Sequence, residues 1–288
     1  MSVPAAFDYH RATTVDEAVA LLRQYGDEAK VLAGGHSLIP ALKLRLSQPA
    51  HLIDIGRIPG LSFITEEPER VVVGALTTYT QIERSDLLHK YFPMMVECAS
   101  VIADHQVRNR GTLGGSLAHA DPASDMLGVV LALKAELVAQ GPDGKRTIKA
   151  DDFFVGTFAT VLEPDEVLTE LRFAILPAST GGAYEKLANK ASHYAIAGCA
   201  AVVSLAGDGA CAAASIAITG AAMQTVRAGA VEAALVGRKL DEATVIEAAS
   251  HAADDLELVS DIHGSETYRR QMVAVVTRRA IMRALERV

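Results

Sequence analysis

Two short stretches of the chain carry residue types that can hold an anion. Ala33-Gly34-Gly35-His36-Ser37 and Thr112-Leu113-Gly114-Gly115-Ser116 each pair two glycines and close on a hydroxyl residue. Glycine permits positive φ and close backbone approach, so successive N–H groups can converge on one oxyanion. Ser37 and Thr112 add hydroxyl donors, and a helix starting near Leu38 adds the positive end of its dipole. One such turn suits a phosphate. Two of them, about 80 residues apart, suit a diphosphate clamped from both sides, as a dinucleotide requires. Each also reads as a plain tight turn.

Neither stretch is G-x-G-x-x-G, and neither ends in the Gly-Lys-Ser/Thr of a P-loop. A nicotinamide Rossmann domain and an NTPase are therefore disfavoured. Cys98, Cys199 and Cys211 have no C-x-x-C spacing, which excludes a cysteine-bound iron–sulfur site and a disulfide framework. The nine histidines are scattered, and His119 with Asp121 or His105 makes no metal-ligand pattern. Cys98 sits in an apolar helical stretch, where a buried structural thiol is the expectation. No Ser-His-Asp arrangement and no catalytic residue of the chain's own emerge.

The elements that must position these stretches fall into three segments. In the first, Thr14 and Glu17 have capping-box spacing, and Ala18, Leu21, Leu22 and Tyr25 repeat at a helical period stopped by Gly26. A strand at Lys30–Leu32 runs into the first glycine stretch, a helix follows over Leu38–Leu46, and Leu52–Ile55 is a second strand. The second segment opens near Pro59-Gly60, with a strand at Val71-Val72-Val73 and helices over Thr80–Leu88 and Pro93–Ala103. Asp104–Asp125 reads as a long loop, and a loop of that length is usually functional or disordered. Glu136–Ala139 and Arg146–Ile148 flank Gly141-Pro142-Asp143-Gly144 as a hairpin. The third segment starts around Pro177–Gly182, with a hairpin of Cys199–Leu205 and Ala212–Thr219. Helices follow at Ala228–Leu235, Glu242–Ala253 and Glu266–Leu285. In the last, Tyr268, Met272, Val275 and Val276 form the expected buried face, with Arg269, Arg270, Arg278 and Arg279 on the solvated one.

The chain has 288 residues, half of them hydrophobic and 22% charged, with a net charge of −8. That length suggests roughly two domains of about 150 residues each. The acidic balance argues against a nucleic-acid binder, which needs a basic footprint to displace counterions. No apolar run approaches the roughly 20 residues of a membrane span, and MSVPAAFDYHRATTVDEA does not read as a secretory signal. A soluble, cytoplasmic protein is expected.

Longer motifs surround both glycine stretches. Val31-Leu32-Ala33-Gly34-Gly35-His36-Ser37-Leu38-Ile39-Pro40, followed by Leu52-Ile53-Asp54-Ile55, resembles the FAD-binding medium subunits of the molybdenum hydroxylases, the xanthine dehydrogenase family. Gln106-Val107-Arg108-Asn109-Arg110-Gly111-Thr112-Leu113-Gly114-Gly115-Ser116, continuing to Ala120-Asp121-Pro122-Ala123-Ser124-Asp125, resembles the second flavin motif of that family. The likeness spans essentially the whole chain, including Tyr184-Glu185-Lys186-Leu187. It is greatest to the branch found in aerobic carbon monoxide dehydrogenases.

The resemblance implies an α+β fold: a two-lobed FAD-binding region of the PCMH type at 1–176, with lobes of about 1–58 and 59–176, then a C-terminal domain of antiparallel sheet plus helices at 177–288. It implies that Ala33, Gly34, Gly35, His36, Ser37 and Leu38 hold the FAD diphosphate from one side, and Thr112, Leu113, Gly114, Gly115 and Ser116 from the other. Asp125 matches an acidic partner of the FAD sugar–ribityl region, although as a residue it also reads as a helix cap before Met126–Leu133. His119 is either a cofactor contact or a surface histidine, and Leu168 an apolar contact or strand core. Lys186 matches a lysine near the flavin, and Tyr194 an aromatic that covers the ring, with core packing beside Ile196 as its plain reading. Asn189 stands where close relatives often carry a cation, and His193 where they carry a carboxylate. The implied function is electron transfer from two-iron two-sulfur clusters in a small partner, fed by molybdopterin in a large partner, through FAD to an external acceptor. A dimer of heterotrimers is the implied assembly. The rival readings are a free-standing flavin oxidoreductase and a non-catalytic binding module.

Overall fold

A computed structural model describes residues 3–254 and 256–288. Its architecture is α+β, built on three main sheets. The first is a three-stranded parallel sheet in which His51–Asp54 lies between Asp8–Arg11 and Ala29–Leu32. Parallel neighbours need crossover connections, and the helices Val15–Tyr25 and Leu38–Lys43 supply them. Thr14 caps the first helix by accepting from the Glu17 N–H, and Gly26 ends it at φ +53°. The second crossover helix is shorter than expected and stops at Lys43, with Arg45 in the left-handed region.

The second sheet is antiparallel and five-stranded, in the order Ile64–Glu67, Arg70–Gly74, Val167–Ala174, Glu136–Gly141, Gly144–Lys149. The last two form the expected hairpin, closed by Pro142 and Asp143 between the paired Gly141 and Gly144. Val71, Val73, Leu137, Leu171 and Phe173 bury a common core with Phe92, Met95 and Met126 from the helices. The stretch expected as one helix over Thr80–Leu88 is two, Tyr79–Glu83 and Asp86–Tyr91, because Ser85 caps a new start. The following helix ends at Ser100 rather than Ala103. Phe92 is fully buried, its ring centroid 5.8 Å from that of Phe173. Phe92→Ala is expected to cost about 3–5 kcal/mol of stability, measurable as a lower urea midpoint at unchanged slope.

The long loop expected over Asp104–Asp125 contains two helices, His105–Arg108 and Leu113–His119. The second glycine stretch is therefore a helix start and not a turn. Thr112 is its N-cap, accepting from the Gly115 N–H at 3.2 Å, and neither Gly114 nor Gly115 has positive φ. The helix Asp125–Ala132 follows and is buried along its whole length.

The third sheet is an antiparallel meander of Thr180–Ala188, Ala195–Leu205, Cys211–Thr219 and Val226–Arg227. Helices Gly229–Leu235, Glu242–Ser250 and Glu266–Leu285 pack on it. The long helix turns a different face inward from the one expected. Arg269, Val273, Val276, Thr277, Ala280, Ile281 and Ala284 are buried, while Tyr268 is exposed. Arg269 is only 2% exposed and donates to buried backbone carbonyls, Ile196 O at 2.6 Å and Gly220 O at 2.7 Å.

The second and third sheets are joined by a buried seam. Gly128 lets the Asp125–Ala132 helix approach Thr219, and Ser215 Oγ donates to the Ala132 carbonyl at 2.6 Å. The Gly220 N–H donates to Pro122 O, and Glu97 accepts from both Arg283 and Arg287. Among the described residues no helix is long and apolar enough to cross a membrane.

Candidate functional site

The first glycine stretch leaves the parallel sheet at the end of Ala29–Leu32 and enters the Leu38–Lys43 helix. Gly35 takes φ +81°, a conformation that favours glycine. The N–H groups of Gly34, Gly35, His36 and Ser37 find no backbone acceptor among the described residues. Four successive free donors beside a helix start are available to an anion.

The second stretch contributes in another way. Its N–H groups are already engaged: Leu113 with Thr77 O at 2.9 Å, Gly114 with Ala75 O at 2.8 Å, Gly115 with the Thr112 hydroxyl. What it offers is a close wall. A Cβ at Gly115 would lie 3.6 Å from the Ala33 Cβ, and one at Gly34 would lie 2.1 Å from the Arg110 carbonyl oxygen. Two segments separated by some 80 residues thus come into contact where the parallel and five-stranded sheets meet. The Thr112 hydroxyl, spent as an acceptor at the cap, keeps its proton to donate. Thr112→Val is expected to lose that donor and the cap, lowering stability by about 1 kcal/mol and weakening cofactor retention; urea titration and flavin content read the two effects separately.

Gly114 is buried against Ala75, where an added Cβ would lie 2.5 Å from Ala75 Cβ. A bulky residue there overpacks the helix against the sheet, so its effect on ligand binding reports packing rather than approach to a phosphate. Close to Ser116 lie two hydroxyls that were not among the sequence candidates, those of Ser124 and Tyr79. Ser116 Oγ and Ser124 Oγ are 2.9 Å apart, and the buried Tyr79 hydroxyl has no hydrogen-bond partner. Its only sequence signal is the Thr78–Gln81 capping box that fixes its helix.

Further along, Asp125 opens the buried helix, with Ser124 rather than Asp125 at the cap position. Its Oδ1 accepts from the Tyr184 hydroxyl at 2.5 Å and its Oδ2 from Lys186 Nζ at 2.9 Å. Burial pushes the Asp125 carboxyl above the usual carboxylate range, and Lys186 and Tyr184 pull it part of the way back. Burial beside that carboxylate raises the Tyr184 phenol as well. Lys186 also donates to the His193 carbonyl at 2.8 Å. Tyr194 is 49% exposed and is not a core residue. Partial burial raises its phenol, and the negative charges of Asp121 and Asp125 add to that. His119 packs on Phe158 with ring centroids 5.0 Å apart, and burial holds its imidazole below the ordinary value. Leu168 is 5% exposed, in the core of the five-stranded sheet with Leu113 and Leu117.

Both departures noted in the sequence act on the loop between the first two strands of the third sheet. Asn189 Oδ1 accepts from the Ala191 and Ser192 N–H groups and so builds the turn. His193 takes φ +61°, and its carbonyl accepts from Lys186.

Residues 5–179 match the family model described as "FAD binding domain in molybdopterin dehydrogenase", and residues 182–284 match "CO dehydrogenase flavoprotein C-terminal domain". The chain belongs to the FAD-binding medium subunits of the molybdenum hydroxylases. It is 42% identical to the carbon monoxide dehydrogenase medium chain of Hydrogenophaga pseudoflava, with 99% of each chain covered. It is 37% identical to the 6-hydroxypseudooxynicotine dehydrogenase complex subunit alpha of Paenarthrobacter nicotinovorans, over 99% of this chain and 96% of that one. The solved carbon monoxide dehydrogenase of Hydrogenophaga pseudoflava superposes with a TM-score of 0.96 at 45% identity, covering 99% of both chains. Quinoline 2-oxidoreductase from Pseudomonas putida 86 gives 0.92 at 34% identity, covering 99% of this chain and 98% of that one. The chain is accordingly the flavoprotein subunit of a multi-subunit molybdenum-containing oxidoreductase, and its cofactor is FAD. The free donors at Gly34–Ser37 and the close approach of Gly34 to Arg110 and of Gly115 to Ala33 fit a dinucleotide.

Proposed function

We propose that this chain accepts electrons from iron–sulfur clusters of a small partner, themselves fed by a large molybdopterin partner, and hands them through FAD to an external acceptor. The observation that carries the reading is the contact of Gly34 with Arg110 and of Gly115 with Ala33, beside four N–H groups without a backbone acceptor among the described residues. In this reading Ala33–Leu38 hold the diphosphate by backbone donors, and Thr112–Ser116 face them with the Thr112 hydroxyl and a glycine surface. His119 and Asp125 lie towards the sugar–ribityl side, Leu168 backs the sheet beneath, and Lys186 and Tyr194 attend the ring. The bound flavin supplies the redox chemistry; the protein orients it and sets its surrounding charge. Lys186 holds a positive charge where negative charge grows on reduction. Tyr194, half-exposed, is placed to stack and restrict solvent.

The cofactor region corresponds to 1–176 and the C-terminal domain to 177–288. The complex is a dimer of heterotrimers in the cytoplasm, and its substrate is oxidised on the large partner. The strong likeness to carbon monoxide dehydrogenase medium chains makes carbon monoxide the first substrate to assay, with aldehydes and N-heteroaromatic compounds next.

Native purification with a visible spectrum, metal analysis and a subunit gel tests the whole reading. FAD on this chain, together with iron, molybdenum and two further chains, supports it. Substrate turnover by the isolated chain would replace it with a free-standing oxidoreductase. Tyr194→Ala is expected to alter flavin fluorescence while leaving the melting temperature unchanged; unaltered fluorescence would remove Tyr194 from the ring.

A further inference from the structure

The Asp125 carboxylate comes from the buried helix of the cofactor region, whereas the phenol and ammonium it binds come from the third sheet. The Asp125 and Lys186 side chains are each 6% exposed, so their charges are matched within the protein and not by solvent. An ammonium has three protons. Lys186 commits one to Asp125 Oδ2 and one to the His193 carbonyl, 2.8 Å away, which leaves a single N–H to offer a ligand.

The His193 bond ties an exposed loop to the interior. Between Asn189 and Tyr194 the loop is otherwise held by its own bonds: the Asn189 N–H to Tyr194 O, the His193 N–H to Asn189 O, and the Asn189 side chain to Ala191 and Ser192. Outside the loop, Asn189 Nδ2 meets His263 Nδ1 at 3.0 Å. The left-handed backbone at His193 persists only where surroundings over-determine it. Lys186 is the buried part of those surroundings, and Asp125 is what orients Lys186.

We propose that Asp125 is a positioning residue: it aims the one free N–H of Lys186 and, through the Lys186 bond to His193, fixes the loop that carries Tyr194. This gives Asp125 a role beyond contact with a sugar hydroxyl. It deepens the FAD reading above, on which only its second readout rests.

The first readout needs no cofactor. In the full-length chain without FAD, amide hydrogen exchange at Ala191, Ser192 and Tyr194 is expected to accelerate by at least about tenfold in both Asp125→Asn and Lys186→Met, as local opening becomes easier. Because the two residues act in series, the double variant is expected to match either single one. Tyr184→Phe removes the other bond to Asp125 but keeps the ion pair, and leaves these amides unchanged. Val71–Val73, in the centre of the second sheet, serve as the global control. Loop exchange unchanged in a folded Asp125→Asn, or additive effects in the double variant, would overturn the proposal. If Asp125→Asn does not fold, Lys186→Met alone decides: an unchanged loop overturns it.

The second readout is the midpoint potential of FAD-loaded protein. Asp125→Asn leaves the ammonium uncompensated and is expected to raise the potential, while Lys186→Met lowers it. A purely structural Asp125 would shift neither in opposite senses. Failure of the wild-type chain to hold FAD would sink the cofactor reading and leave the exchange result standing.

Discussion

Gly34→Ala is expected to yield a folded chain from which FAD is lost. The added methyl would sit 2.1 Å from the Arg110 carbonyl oxygen, a backbone atom that cannot swing away as a side-chain tip can. The first stretch must then move off the second, and the contact between them opens. Folding survives because Gly34 belongs to none of the three hydrophobic cores. The ratio of flavin to protein after purification is expected to fall by at least about tenfold, equivalent to about 1.4 kcal/mol of binding, at an unchanged circular dichroism spectrum. Gly60→Ala separates approach from backbone strain. Gly60 has positive φ, at +79°, which Gly34 lacks, and no atom lies within 4 Å of its missing Cβ, so this variant carries strain without close approach and keeps its FAD. Stoichiometric FAD in Gly34→Ala would refute a shared site.

The largest loss of stability is expected at Arg269. Its guanidinium donates to Ile196 O and Gly220 O, and to both oxygens of Asp261 at 2.7 Å. Arg269→Met takes the guanidinium from those carbonyls and leaves the Asp261 carboxylate without its partner, at a cost of about 3–5 kcal/mol and a melting temperature lower by about 10 °C for a chain of this size. Lysine at this position recovers only part of the loss, because a single ammonium cannot span the two carbonyls and the carboxylate together. The pH dependence gives a second check. Burial pushes the Asp261 carboxyl up, but Arg269 and the N–H groups of His263 and Gly264 outweigh it and hold it below its ordinary range. A depressed carboxyl brings stability that is fully present above its unfolded value, about 3.9, and is lost as pH falls through the lower folded value. The acid limb of the wild-type stability curve should therefore flatten in Arg269→Met, as seen in urea midpoints taken from pH 5 downward.

The sequence exposed what is local. A strand, a glycine turn and a helix at residues 29–43 are legible because each has its own periodicity or φ requirement, and the helix Glu266–Leu285 announces its full length. The Leu113–His119 helix is not legible, since seven residues with two glycines have neither the propensity nor the length to form alone. It forms because Thr77 and Ala75 take its first N–H groups, and those acceptors lie more than thirty residues away. The buried face of the last helix was misread for a similar reason. An arginine reads as solvated until its acceptors are known, and here they are carbonyls at the ends of strands. The glycine pairs were found correctly as a feature, but their division of labour was hidden. Only the hydrogen-bond pattern shows that the first stretch has four N–H groups in a row to spare, whereas Leu113 to Ser116 in the second are all engaged.

The seam held by Glu97 also has a kinetic meaning. Its partners Arg283 and Arg287 lie 186 and 190 residues further along the chain, so these bonds close the largest loops in the molecule. Loop closure of that span is entropically late. The five-stranded and C-terminal sheets can each assemble from shorter-range pairings before the seam closes. Weakening the seam therefore leaves the refolding rate almost untouched and shortens the lifetime of the native state, so that Glu97 governs how long the finished site persists once made.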